Sequence, residues 1–284
     1  MNVAIAQGLG LAAPQRGDGA ADLSFVAADG VTRLGRLYQR APCRVLFPRP
    51  EPDEPMTAVT ITTSGGIAGG DRLSIAIAAE SGAQALVASQ AAEKIYRSDG
   101  SVARLRVEIA VAPGAALEYL PQDTILFDRA RLERETELAI EPGGRLLACD
   151  MVVFGRRARG ERFDDGEFRD RWTLNRAGRM AWAERGRIAG GDRAFDHPGG
   201  LGGAAAMALV LYAGEDAEAG LDPARVLIER AGVRGGATLM GDLLLARLFD
   251  PDPARLRLAL ADLVAGLRAA LLGRPARPPR LWQC

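Results

Sequence analysis

The chain has 284 residues, with 36 basic and 36 acidic side chains, one histidine and 48% hydrophobic residues. That composition suffices for a substantial core, while zero net charge argues against a nucleic-acid binder and no apolar run approaches the roughly 18 residues of a membrane span. Cys43, Cys149 and Cys284 show no CxxC spacing and His197 stands alone. This fits a reducing, cytoplasmic setting and leaves no conventional His/Cys zinc or iron centre, so any metal chemistry must use carboxylates and backbone oxygens or be transient.

Residues 1–21, rich in Gly, Ala and Gln and without a basic start, are expected to form a frayed segment and no signal peptide. Residues 22–284 are expected to form one β-rich domain. Up to Tyr212 the chain is dominated by short apolar runs of period two, at 57–63, 72–79, 101–112, 132–140 and 172–176. In the clearest, Ala103, Leu105, Val107, Ile109 and Val111 face one way, and Arg104, Arg106 and Glu108 the other, as in a half-buried strand.

Gly82, Gly114 and Gly143, with Gly178 in a looser fourth copy, recur about every 30 residues in a strand–turn–strand plan. Pro113 and Pro142 preset a turn and the following glycine supplies positive φ. This predicts stacked sheet rungs, a β-helical or solenoid-like architecture; the competing reading is chance likeness among Ala- and Gly-rich hairpins.

The last third changes character. Asp222-Pro223 and Asp252-Pro253 read as helix starts, with Gly232 and Gly273 as stops, giving helices at about 222–232 and 253–272. Residues 238–249 read as one strand between them. Leu256, Leu260, Leu263, Leu267 and Leu271 form a stripe read as core packing in preference to a partner-binding face.

No catalytic constellation emerges. Gly65, Gly66, Gly69 and Gly70 precede Asp71 and Arg72, where a phosphate loop requires Lys then Ser or Thr, so nucleotide binding is rejected there. The loop either aims Asp71 at a definite point or is a surface turn with a solvated acid. Gly200-Leu-Gly-Gly-Ala-Ala205 matches a dinucleotide fingerprint but follows no strand, leaving a dinucleotide-binding enzyme as a weak alternative. Asp150 lies in the apolar run Leu146-Leu-Ala-Cys-Asp-Met-Val-Val-Phe154, where a carboxylate needs a partner. A buried ion pair with an arginine, or a ligand or relay role, both fit. Glu184, in Met180-Ala-Trp-Ala-Glu-Arg, is similar. Lys94 is the only lysine, a possible pair partner.

Together, several motifs resemble the urease accessory protein family UreD, also called UreH. They are Gly65-Gly-Ile-Ala-Gly-Gly-Asp-Arg-Leu73, Ser89-Gln-Ala-Ala-Glu-Lys-Ile-Tyr-Arg97, Leu120-Pro-Gln-Asp-Thr-Ile-Leu-Phe-Asp128, Cys149-Asp-Met-Val-Val-Phe-Gly-Arg157 with Gly160-Glu161, and Leu272-Gly-Arg-Pro-Ala-Arg-Pro-Pro-Arg-Leu-Trp282. Ser64 departs from the proline usual in that family. The resemblance implies a β-helical, non-enzymatic scaffold that bridges apo-urease to UreF and, through it, the GTPase UreG. It also implies transient Ni2+ passage through an internal tunnel, with no tightly bound cofactor, no nucleic acid and no membrane. By position it assigns Asp71, Asp150 and Glu184 to that passage; a purely structural adaptor with ion-paired acids is the other reading. Nickel accepts oxygen ligands, and sparse, weak ligation would let an ion move on.

Overall fold

The computed structural model describes residues 16–283. Alternating apolar residues form β1 (Asp18–Ala28), β2 (Val31–Arg40), β3 (Cys43–Leu46), β4 (Met56–Thr62), β5 (Arg72–Ala79) and β6 (Gln84–Ser89). Next come β7 (Glu93–Ile95), β8 (Ala103–Val111), β9 (Ala116–Leu120), β10 (Thr124–Leu126), β11 (Arg131–Ile140) and β12 (Arg145–Phe154). Then follow β13 (Glu167–Arg176), β14 (Arg179–Ala189), β15 (Ala206–Ala213), α1 (Leu221–Ala231), β16 (Arg234–Met240), β17 (Leu243–Asp250) and α2 (Pro253–Leu272).

One sheet has the order β14-β13-β11-β8-β5-β1-β2; the other runs β16-β17-β15-β12-β9-β6-β4-β3, with β10 paired to the last three residues of β12 and β7 paired to β10. In the first sheet β1, β5, β8, β11 and β13 are successively parallel, and in the second β4, β6, β9 and β12 are. The chain crosses from first sheet to second at each of the links β5–β6, β8–β9 and β11–β12. This is the expected solenoid-like stack, mainly β with two α-helices among the described residues.

Gly82, Gly114 and Gly143 are the corners, with φ of 74°, 71° and 76°. They stack: Gly114 N donates to Gly143 O at 3.1 Å, and Gly82 N to Pro113 O at 3.3 Å. The repeat is therefore physical for these three. The fourth copy is not a corner. Ala177 (φ 47°) and Gly178 (φ 73°) close an antiparallel hairpin between β13 and β14 within one sheet. Two successive positive φ values match the twist of a two-residue hairpin, so this turn keeps the chain in its own sheet.

Other boundaries also move. β1 begins at Asp18, so the expected frayed segment ends sooner than residue 21; residues 1–15 lie outside the described residues. Residues 238–249 belong to a β16–β17 hairpin, turned at Gly241 (φ 61°), and not to a single strand. α1 starts at Leu221 after a short 3-10 turn, with Gly220 at its N-cap. Asp222 therefore makes no side-chain cap and acts only as a charge in the first turn. Asp252 does cap α2, accepting from Ala254 N at 2.9 Å, and Gly273 ends that helix in the left-handed region.

Two cores follow from strand parity. Inward residues of both sheets, including Leu132, Leu138, Leu146, Phe154, Phe168 and Leu174, fill the space between them. The outer face of the second sheet packs against α1 and α2 through Leu147, Cys149, Met151 and Tyr212. The five leucines of the α2 stripe are at most 4% exposed, so the stripe is core. Each buried leucine contributes roughly 1.5–3 kcal/mol. α2 is also fastened by Arg268, fully buried, whose Nε donates to Glu118 Oε2 on β9 at 2.5 Å. The same guanidinium pairs with Glu54. Among the described residues no helix is long and apolar enough to cross a membrane.

Candidate functional site

Asp71 closes the glycine loop from within. Its Oδ1 accepts from Gly17 N at 2.6 Å and its Oδ2 from Ala68 N at 2.8 Å, and the residue is 6% exposed. Gly65 and Gly70 have positive φ, while Gly66 and Gly69 press against the segment 94–101. The loop does aim Asp71 at a point, but that point is its own backbone and the start of β1.

Asp150 lies on the inward face of β12, between Ala148 and Val152 of the inner core. It meets Arg134 of β11 in a two-pronged pair, Nη1 to Oδ1 at 2.7 Å and Nη2 to Oδ2 at 2.5 Å. The other side of the same guanidinium holds Asp170 of β13, Nε to Oδ1 at 2.9 Å and Nη2 to Oδ2 at 2.7 Å. Trp172 Nε1 adds a hydrogen bond to Asp170 at 3.0 Å, and Phe168 lies under the guanidinium. Burial raises the Asp150 carboxyl above its ordinary range, with Arg134 pulling the other way. The Asp150 and Asp170 charges hold Arg134 well above the ordinary guanidinium value despite its burial.

Glu184 continues the line. It stands opposite Trp172 in the β13–β14 register and forms an ion pair with Arg247 of β17. Arg247 in turn shares a row with Leu209 and Asp150 across β17, β15 and β12. Two strand spacings separate these ends, about 10 Å. Gly186, opposite Asp170, is exposed, and a Cβ placed there would meet nothing within 4 Å. The line Asp150–Arg134–Asp170–Trp172–Glu184–Arg247 thus runs from the inner core to a half-exposed ion pair that joins β14, the end strand of the first sheet, to β17 of the second. Asp150 and Glu184 belong to one line; Asp71 stands apart, before β5, two strands from β11.

Two hollows stand out elsewhere in the fold, the second of them reaching Arg134. One of ≈ 220 Å³ is lined by Cys43, Thr62, Glu93 and Lys94 near the glycine loop. Thr62 Oγ1 donates to Glu93 Oε2 at 2.6 Å, and burial raises the Glu93 carboxyl. Burial and then Glu93 push the Cys43 thiol up to about 11. The other hollow, of ≈ 400 Å³, lies against the charged face of the first sheet, where Arg104, Glu133 and Arg169 form a ladder. Exposed pairs of that kind contribute little stability.

Among the described residues no three or more His, Cys, Asp or Glu side chains come together as a metal-holding group. The Gly200 segment neither follows a strand nor opens a helix: it forms turns after His197 and leads into β15. It therefore lacks the frame of a dinucleotide loop. Cys284 lies outside the described residues.

Fold and interior together define a β-solenoid scaffold crossed by a buried acid–arginine line. The sequence model of the family described as UreD urease accessory protein matches residues 17–283. The chain is 42% identical over 276 residues to the urease accessory protein UreD of Magnetococcus marinus, covering 95% of each chain. It is 40% identical over 269 residues to that of Bradyrhizobium diazoefficiens, covering 94% of each. Against the urease accessory protein UreD 2 of Methylorubrum populi it is 41% identical over 261 residues, 91% of this chain and 86% of that one. The chain belongs to the UreD family of urease accessory proteins.

Proposed function

We propose that this protein takes no catalytic step itself. It bridges apo-urease to UreF and UreG in the cytoplasm and passes Ni2+ through its interior toward the urease active site. The observation that supports the path is the line from Asp150 to Glu184, which carries carboxylates through the inner core to an edge where Gly186 leaves open space. Carboxylates already shared with arginines hold a passing ion weakly, which suits transfer over storage. Asp71 serves the path from a distance, by holding the glycine loop and the start of β1 in place.

A second reading is a purely structural adaptor, favoured by the fact that all three acids have partners within the chain. Co-expression with a urease operon lacking its own UreD separates the two. Replacing Asp71, Asp150 or Glu184 by Ala in turn should lower urease activation while folding and UreF binding persist. Normal activation by all three variants would leave only the adaptor.

A further inference from the structure

The carboxylates of Asp150 and Asp170 come from opposite sheets and meet across one guanidinium. Each of their four oxygens accepts from Arg134, and Asp170 Oδ2 also accepts from Trp172. Thr124 Oγ1 lies 3.5 Å from Arg134 Nη1. Without the guanidinium, two facing carboxylates and a hydroxyl would form an oxygen set suited to a divalent cation. An arginine cannot give up its proton, so its charge stays in that place at any ordinary pH.

We propose that Arg134 is a positioning residue whose tethered positive charge occupies the cation position between Asp150 and Asp170, so that a divalent ion is attracted to the interior but not retained. Two carboxylates against one guanidinium leave an excess negative charge, which draws a cation in. The filled position denies that cation two carboxylates at once. The planar fork hydrogen-bonds both acids together, whereas a lysine ammonium would fill the same position by its charge alone. The meaning for transfer rests on the nickel path proposed above; the binding property does not.

Equilibrium dialysis of the full chain against NiCl2 tests it. Arg134→Gln should gain about one tightly held Ni2+ per chain, binding at least roughly tenfold tighter than wild type. Arg134→Gln with Asp150→Asn should lose that gain, and Arg134→Lys, which keeps the charge, should stay near wild type. A folded Arg134→Gln with no gain overturns the proposal, as does an Arg134→Lys that binds as tightly as Arg134→Gln. Should Arg134→Gln be too unstable to dialyse, NiCl2 should raise its melting temperature and leave wild type unmoved; no rise overturns the proposal too. Normal urease activation by all three acid variants would remove the nickel path and leave this result standing, whereas failure to gain Ni2+ would do the reverse.

Discussion

Gly66 has no room for a side chain: an added Cβ would lie 2.7 Å from Lys94 O and from Tyr96 Cζ. Gly66→Ala should destabilise the protein by about 1–3 kcal/mol, read as a lower denaturation midpoint, because the obstacle is partly backbone. Glu161 gives a pH-dependent counterpart. Hydrogen bonds from Arg156 hold its carboxyl down at about 2, from an ordinary 4.5. A depressed carboxyl adds stability that is full above the unfolded value and is lost as pH falls through the folded one. The melting-temperature advantage of wild type over Glu161→Gln should therefore be constant above pH 4.5 and shrink toward pH 2. The key interior residues were legible by parity but easily missed. Arg134 and Thr136 share the inward phase of Leu132, Leu138 and Ile140, and Asp170 that of Phe168, Trp172 and Leu174. A charge at a buried position predicts a partner, and for Asp150 the signal is the continuous apolar run around it. Which arginine answers it depends on how two sheets face each other, which no local pattern carries.

At the scale of elements, α2 depends on a charge buried beneath it. Arg268 is fully buried and Glu118 is 1% exposed; burial raises the Glu118 carboxyl and Arg268 counters it. Removing the cation alone leaves Glu118 only Arg274 at 3.5 Å and Glu54 only Arg277 at 3.3 Å, so Arg268→Met should cost about 3–5 kcal/mol. Adding Glu118→Gln should recover part of that loss in urea denaturation, since one buried, under-compensated charge is then gone. The helices and glycine corners were readable because caps, left-handed glycines and leucine spacing are local chemistry. Gly178 misled for the same reason: a strand–Gly–strand segment serves equally as a corner or a hairpin. Only the pairing of β13 with β14, antiparallel and in one sheet, separates the two.

For the whole molecule, two facing sheets are closed on one side by rungs and turns and joined on the other by ion pairs, Glu184 of β14 with Arg247 of β17 and Arg176 of β13 with Asp242 in the β16–β17 turn. α1 and α2 cover the outer face of the second sheet, whereas the arginine- and glutamate-bearing face of the first is left uncovered by the described residues. On the nickel path proposed above, the ion passes the edge beside Gly186. That position is open and has ordinary φ, so Gly186→Phe should fill the opening without loss of melting temperature. The most direct measurement is the nickel content of urease matured in cells that carry this variant as their only UreD-family protein. The account predicts urease that assembles with its accessory proteins as before but holds several-fold less nickel; full nickel occupancy with Phe at position 186 would contradict it.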